Sequence, residues 1–209
     1  MRLACIPVLV VAILSDACRS PGSSGSKEPG NPPDLFTNAI SGWEKVKSFR
    51  AKMTVTGLAT GTAETRMEAV MPDKFHITTD RSEMIMIGQT TYLKLPNGEW
   101  RMITTELDYS FGSMKKMMED LKVSKETIKT GSETFEGVAA DVYESRMTMP
   151  AAIGSKPGAE PQAYSVKMWV GVSDGMPRKV ESASPISPAR TTVVYTDYNA
   201  NITIEPPID

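Results

Sequence analysis

Beyond residue 48, apolar and polar side chains alternate along the chain with a period of two. From Phe49 to Val55 every second residue is apolar, and Arg50, Lys52 and Thr54 fill the intervening positions. This period is typical of a β-strand with one buried face. Similar runs between turn residues predict further strands at Thr62–Met71, Lys74–Thr79, Glu83–Ile87, Thr90–Leu95, Glu99–Thr104, Val138–Met147, Tyr164–Val172, Arg178–Ala183, Arg190–Tyr198 and Asn201–Glu205.

Glycine, proline and asparagine separate these runs. Pro96-Asn97-Gly98 is a strong hairpin signal, and Ser173-Asp174-Gly175 joins the two strands of the clearest hairpin. Glu133–Gly137 is predicted to be a turn and Pro150–Pro161 a loop. Short strands with regular turn signals predict an antiparallel meander.

Two stretches have a helical period instead. Between Asp34 and Lys47 apolar residues recur every three to four positions, and Pro33-Asp34 supplies a helix start signal. Apolar residues recur in the same way over Ser110–Leu121, which predicts a second, short helix. The fold class is therefore mainly β with a minor helical part (α+β).

The first residues, Met1 to Cys18, have the composition of a secretory signal. Arg2 supplies a positive charge, an apolar run extends from Leu3 to Leu14, and small residues precede Cys18. A spanning helix needs roughly 20 apolar residues, and this run is much shorter. We therefore expect export of the chain and removal of residues 1–17.

Cys18 is the predicted attachment point of a lipid. The residues before it resemble the lipobox of bacterial lipoproteins, in which a leucine and small residues precede an acylated cysteine. Ala17 fits that pattern, but Ser15 stands where leucine is usual and Asp16 is atypical, so an ordinary signal-peptidase site is the alternative. Cys5 is lost with the signal, and acylation by a diacylglycerol and a palmitate-like chain would protect the remaining thiol and anchor the protein.

The exported chain divides into a tether and one domain. Residues 18–33 are rich in Ser, Gly and Pro and form a flexible tether. Residues 34–209 are enough for one domain with its own core. The composition, 40% hydrophobic and 23% charged, is that of a globular protein, and the net charge of -2 without a basic stripe argues against nucleic-acid binding.

Several motifs, in this order along the chain, resemble the LolA/LppX-type lipoprotein-carrier superfamily. They are a helix entering a strand, a Phe-Glu-Gly turn before a strand, a Trp strand, a Gly-Met-Pro turn with a basic return strand, and a Pro-Pro ending. In this sequence they are Val46–Ala51, Phe135–Gly137 with Val142–Glu144, Val166–Val170, Gly175–Lys179 and Asn201–Pro207. The resemblance covers most of Asp34 to Pro207.

The resemblance implies an incomplete, strongly curved antiparallel β-barrel with helices across its open side, a LolA-like half barrel. Its concave face is then a hydrophobic cavity for acyl chains. Strand alternation supplies the residues for that cavity: Met53, Val55, Met67, Ala69, Met84, Met86, Met168 and Val170.

These features together predict an exported lipoprotein, anchored in a membrane through acylated Cys18 and facing the periplasm or the cell exterior. Its cavity would bind or carry a lipid or acylated ligand, which could be another lipoprotein. The alternative is a structural or interaction lipoprotein with a filled barrel and no ligand.

No group of residues in the sequence indicates catalysis, so no enzymatic activity, cofactor or metal is predicted. The chain has 14 methionines, whose flexible thioethers suit a lipid pocket and suit core filling equally. Met84-x-Met86 and Met147-x-Met149 place sulfurs together as Cu(I) ligands would be, but no His or Cys is near them. His76, the only histidine, lies between Phe75 and Ile77 on a predicted strand, where an ordinary hydrogen-bonded role is more common than catalysis.

Overall fold

The computed structural model describes residues 41–103, 127–149 and 162–208. Within these ranges the chain forms one 3₁₀ helix, Ser41–Lys45, and eleven strands. The strands are β1 (Ser48–Leu58), β2 (Gly61–Val70), β3 (Lys74–Thr79), β4 (Glu83–Ile87), β5 (Thr90–Lys94), β6 (Arg101–Ile103), β7 (Ile128–Phe135), β8 (Val138–Met149), β9 (Gln162–Gly171), β10 (Pro177–Ala183) and β11 (Arg190–Thr196). A search of the same residues finds no helix long and apolar enough to span a membrane.

All the strands belong to one antiparallel sheet with the order β6-β5-β4-β3-β2-β1-β11-β10-β9-β8-β7. The first six strands form one meander and the last five form a second, and the two meanders meet where β1 pairs with β11. In the described part, β6 and β7 are the two edges and do not pair with each other. The sheet is therefore open, as the predicted incomplete barrel requires.

Two predicted elements lie outside the described residues. The helix Ser110–Leu121 is one, and the loop Pro150–Pro161 is the other. Of the predicted helix Asp34–Lys47, the described part is the 3₁₀ turn Ser41–Lys45. Helices across the open side of the sheet therefore stay a prediction.

Most predicted strands are confirmed within one or two residues, but β7 was missed. Its sequence, Ile128–Phe135, has no apolar alternation because the strand lies at an edge and all its residues except Phe135 are exposed. The predicted turn Glu133–Gly137 was consequently too long. Only Glu136 and Gly137 turn, with φ angles of 47° and 80°.

The predicted strand Asn201–Glu205 is wrong, since these residues form no strand. Asp197 and Asn199, with φ angles of 53° and 58°, end the extended backbone before it. Both edges of β11 are already hydrogen-bonded, to β1 and to β10, so no free edge is available next to it. Ile204 is buried nevertheless, and its carbonyl accepts a hydrogen bond from Lys74 Nζ at 3.5 Å.

The 3₁₀ helix is held against the turn between β9 and β10 by a close backbone approach at Gly42. A Cβ at this position would lie 2.0 Å from the carbonyl oxygen of Asp174. Only glycine permits that distance, because real Cβ atoms do not approach so closely. The contact fixes Trp43 over the sheet.

An aromatic cluster fills the core beneath the helix. The Trp43 ring lies 5.3 Å from Phe49, 6.0 Å from Tyr195 and 6.2 Å from Tyr198. Phe49 is fully buried and Trp43 is 3% exposed. Ring pairs at these spacings stabilise beyond the area they bury. Since Phe49 is on β1 and Tyr195 is on β11, the cluster joins the two meanders.

The two tyrosines of this cluster prefer their neutral form. Burial raises the pKa of Tyr195 to about 12. Burial, followed by the neighbouring Tyr195, raises the pKa of Tyr198, whose hydroxyl donates a hydrogen bond to the Pro177 carbonyl. Ionising either phenol inside the folded protein is therefore unfavourable.

Gly42→Ala should lower the free energy of unfolding by about 1–3 kcal/mol, because the added methyl group overpacks a site bounded by backbone. Urea denaturation followed by tryptophan fluorescence measures the change. Gly131→Ala is the matched control, since no atom lies within 4 Å of a Cβ built there, and should change stability by less than about 0.5 kcal/mol. Equal effects of the two substitutions would contradict the docking contact.

Stability should fall as the pH rises through the interval between about 10 and 12. Unfolded tyrosines lose their protons near pH 10, whereas Tyr195 keeps its proton to about 12 in the folded state. The unfolded state therefore binds fewer protons in that window, and the free energy of unfolding decreases with pH. Denaturation at pH 7 and at intervals up to 12 measures the slope, which should be shallower in Tyr195→Phe. An unchanged slope in that variant would show that Tyr195 does not contribute.

Candidate functional site

The sheet register brings the predicted cavity residues together on one face. Directly opposed residues of antiparallel strands project to the same side. Met53 pairs with Val193, Val193 with Val180, and Val180 with Met168, so the face continues from one meander to the other. The same reasoning places every predicted cavity residue there: Met53, Val55, Met67, Ala69, Met84, Met86, Met168 and Val170.

We call this side of the sheet the apolar face. Four cross-strand ladders make up its central part, and their residues from β8 to β5 are uncharged. Charged residues follow at the two edge strands, where Lys129 on β7 pairs with Tyr143 and Arg101 on β6 pairs with Leu93. The ladders are Tyr143-Met168-Val180-Val193-Met53-Thr65-Thr79, Ser145-Val166-Ser182-Thr191-Val55-Ala63, Tyr195-Ala51-Met67-Ile77-Met84-Leu93 and Phe49-Ala69-Phe75-Met86-Thr91-Ile103.

The apolar face is covered unevenly. The aromatic cluster and Trp43 lie over its Phe49 end, where Ala69 and Met86 are buried. Met67 and Met84 pack against the same cluster and are half-buried. Met53 and Val55, further along β1, are half-buried as well, so this part of the face is accessible to a ligand.

In the second meander the predicted residues are more deeply enclosed. Met168 is 2% exposed and Val170 is 1% exposed. These two side chains therefore serve as packed core in this structure, whereas Val180 and Val193 beside them are half-buried, as Met53 is.

The opposite side, which we call the polar face, carries several surface ion pairs. It also carries a small buried cluster of Ala140, Val142 and Trp169, against which Phe135 packs. Arg50 and Glu68 form an ion pair at 2.7 Å, and Lys52 and Glu64 form another at 2.6 Å. All of these side chains are at least one-third exposed. Such pairs contribute little to stability, but they keep this side of the sheet in water.

Polar groups appear on the apolar face near its β7 edge, and sequence reasoning missed them because β7 was not predicted. Lys129 Nζ lies 2.7 Å from Asp141 Oδ2, and Ser132 Oγ lies 2.6 Å from Asp141 Oδ1. Burial alone would raise the pKa of Asp141, but these two hydrogen bonds hold it below its usual value. Burial, and then the charge of Asp141, raises the pKa of Tyr143. The aspartate is therefore ionised and paired.

His76 does not have the surroundings of a catalytic histidine. It lies on the polar face, with Nε2 2.9 Å from Glu83 Oε1 and Nδ1 3.6 Å from Glu68 Oε2. In the part of the chain that the structure describes, no hydroxyl group is hydrogen-bonded to it. Two carboxylates around one imidazole make a surface network of charges.

The structure describes the side chains of only one of the two methionine pairs. Met84 and Met86 are on the apolar face and pack in or against the core cluster, and the side chains of Met147 and Met149 lie outside the described part. Residues 41–103, 127–149 and 162–208 contain no group of three His, Cys, Asp or Glu side chains placed to hold a metal. Cys18 and the tether, residues 18–33, lie outside these ranges.

Comparison with known proteins finds solved structures with a similar fold. No protein-family model matches the sequence, and no curated protein matches it. Among solved structures, LprF from Mycobacterium bovis matches with a TM-score of 0.63 and 10% sequence identity, over 85% of this chain and 97% of LprF. The Mycobacterium tuberculosis lipoprotein LppX matches with a TM-score of 0.55 and 13% identity, over 84% of this chain and all of LppX.

Identities this low establish the architecture alone. An open antiparallel sheet that spans nearly the full length of both proteins is nevertheless a specific likeness, and it agrees with the order of motifs found in the sequence. This chain therefore has the fold of LprF and LppX.

Proposed function

We propose that this protein is an exported, lipid-anchored lipoprotein whose apolar face binds or carries a lipid or an acylated ligand. The observation that carries the proposal is the set of four ladders on the apolar face, whose residues are uncharged between β8 and β5. The other side of the same strands holds the ion pairs. A sheet with this division needs a partner for its apolar face, and an acyl chain has the required chemistry.

The free energy gained by burying an acyl chain supports such a chain as the ligand of the apolar face. Burying one methylene group stabilises a complex by about 0.8 kcal/mol, so an acyl chain of some ten buried methylenes supplies roughly 8 kcal/mol. That is comparable with the cost of association, about 4–15 kcal/mol. Met53, Met67 and Met84 are half-buried and adjust their flexible side chains at little cost, which suits chains of different length.

The likeness to LppX, which is itself called a lipoprotein, supports the proposed anchor at Cys18. With two or three acyl chains on this cysteine, membrane attachment would be stable, whereas one chain alone would be marginal. The tether of residues 18–33 would then hold the sheet within reach of the bilayer that supplies its ligand. An acylated protein presents the same chains as a free lipid, so another lipoprotein is a second possible source of the ligand.

A specific observation favours the alternative, a structural or interaction lipoprotein with a filled barrel. Ala69, Met86, Met168 and Val170 are all nearly inaccessible, so half of the expected cavity lining is already packed. In that case the protein would contain no lipid. The two functions are separated by whether lipid is present in the purified protein.

Native mass spectrometry of protein purified from membranes should show a bound lipid, and Met53→Arg should reduce its occupancy at least about tenfold. A guanidinium group at this position would place an unpaired charge among the acyl chains. Thr54→Arg is the matched control, because the adjacent residue projects to the polar face and should retain the lipid. Met53→Gln, closer in size, tests the same point if the arginine variant does not fold. Absence of lipid from the wild-type protein would favour the filled barrel.

Cys18→Ser should move the protein from the membrane fraction to the soluble exported fraction, because it removes the acylated sulfur. Cys5→Ser is the control, since this residue would be removed with the signal and the protein should stay in the membrane fraction. Cell fractionation with immunodetection measures the distribution. Retention of Cys18→Ser in the membrane would contradict the anchor.

A further inference from the structure

The polar face contains a cleft that the proposed lipid-binding function does not use. It has a volume of about 750 Å³ and lies over β8 to β11 and the end of β1. The side chains that line it from the polar face belong to alternate residues of these strands and to the first residue of β7: Thr56, Ile128, Glu144, Arg146, Ser165, Lys167, Glu181, Ala183, Arg190 and Thr192. The residues between them, Ser145, Val166, Ser182 and Thr191, also line the cleft, although their side chains project to the apolar face.

Two arginines stand at opposite ends of one ladder across the cleft. Arg190 pairs with Ala183, Ala183 with Ser165, and Ser165 with Arg146. Since neighbouring strands are about 4.8 Å apart, the two arginine backbones are separated by roughly 14 Å. Ala183 and Ser165 have short side chains, so the space between the arginines is open down to the sheet.

The carboxylates of the cleft are already neutralised, whereas these two arginines are not. Glu144 lies 3.6 Å from Lys167 Nζ, and Glu181 lies 2.5 Å from Lys179 Nζ. Arg146 and Arg190 are exposed, and neither forms an ion pair with any residue that the structure describes. The cleft therefore holds an excess of positive charge in a protein whose net charge is -2.

We propose that this cleft binds a phosphate group, either the headgroup of an anionic phospholipid or a soluble phosphate ester. The planar guanidinium group matches the oxygens of phosphate and donates two hydrogen bonds at once, which makes arginine a specific phosphate ligand. The hydroxyl groups of Thr56 and Thr192 line the same cleft and supply further donors, whereas the Ser165 hydroxyl donates to the Ala183 carbonyl at 3.4 Å. The site is on the opposite face from the apolar ladders, so phosphate binding can be tested independently of lipid binding on the apolar face.

Binding to soluble phosphate is measured first, by calorimetric titration of the purified full chain with inorganic phosphate. Arg146→Gln and Arg190→Gln should each weaken binding about tenfold, and the double variant should weaken it further. The matched control is the pair Arg66→Gln and Lys47→Gln, which removes the same charge from exposed positions outside the cleft and should leave the affinity within about twofold. Because the cleft is open to solvent, raising the salt concentration should also weaken binding.

Vesicle flotation then separates the two sources of phosphate. Full chain carrying Cys18→Ser, which lacks the acylated sulfur, is mixed with phosphatidylcholine vesicles with or without phosphatidylglycerol. Extra binding to the anionic vesicles that is lost in the double arginine variant supports a phospholipid headgroup. Phosphate binding in the titration without extra vesicle binding supports a soluble phosphate ester.

The proposal is overturned by either of two results. The wild-type protein could bind neither phosphate nor the anionic vesicles above the neutral ones. Alternatively, the Arg66 and Lys47 control could lose as much binding as the double arginine variant, which would show a general charge effect. Circular dichroism and thermal denaturation of each variant show that the comparison is made between folded proteins.

Discussion

The pairing of β1 with β11 is the interaction on which the rest of this structure depends. It is the place where the two meanders become one sheet, and it joins residues about 140 positions apart in sequence. Polar contacts close its end: the amide of Asn199 donates to the Ser48 carbonyl at 2.8 Å, and the Asn199 side-chain oxygen accepts from the Lys47 amide at 2.7 Å. The aromatic cluster covers the same end, so hydrogen bonding and burial act together where β1 pairs with β11. We call this pairing the seam.

Once the seam is in place, the period of two gives the sheet two different faces. The ladders that cross from β11 to β1 on one face consist of apolar and hydroxyl side chains in their central part, whereas those on the other face contain the charged residues. The apolar face and the phosphate cleft are therefore products of the same register, seen from opposite sides. A slip of one residue at β1 would exchange the faces and destroy both sites together.

The sequence was sufficient to predict the strands whose residues alternate. It was not sufficient to predict the strand without alternation or the burial of individual side chains. β1 to β5 and β8 to β11 were predicted from their alternation, and the edge strand β6 was predicted from the hairpin signal Pro96-Asn97-Gly98 before it. β7 was missed because it is an exposed edge strand without alternation. Strand parity also placed Met53 and Met168 on one face. Their different burial, half-buried for Met53 and 2% exposed for Met168, was not predictable, because alternation assigns both residues to the same face and says nothing of what covers each of them. Arg146 and Arg190 likewise become neighbours only through a register that no local pattern contains.

The apolar face extends across the seam, and this links ligand binding to the joining of the two meanders. Met53 and Met67 come from the first meander, whereas Val180, Val193 and Met168 come from the second. A chain of methylenes lying over Met53 and Val193 would contact both halves, and the energy of that contact would be available only when β1 and β11 are paired. Because a ligand that binds only the folded state stabilises it, an occupied apolar face would strengthen the seam. An empty one would leave the pairing to the aromatic cluster and the polar contacts around Asn199, which lie at one end of β1.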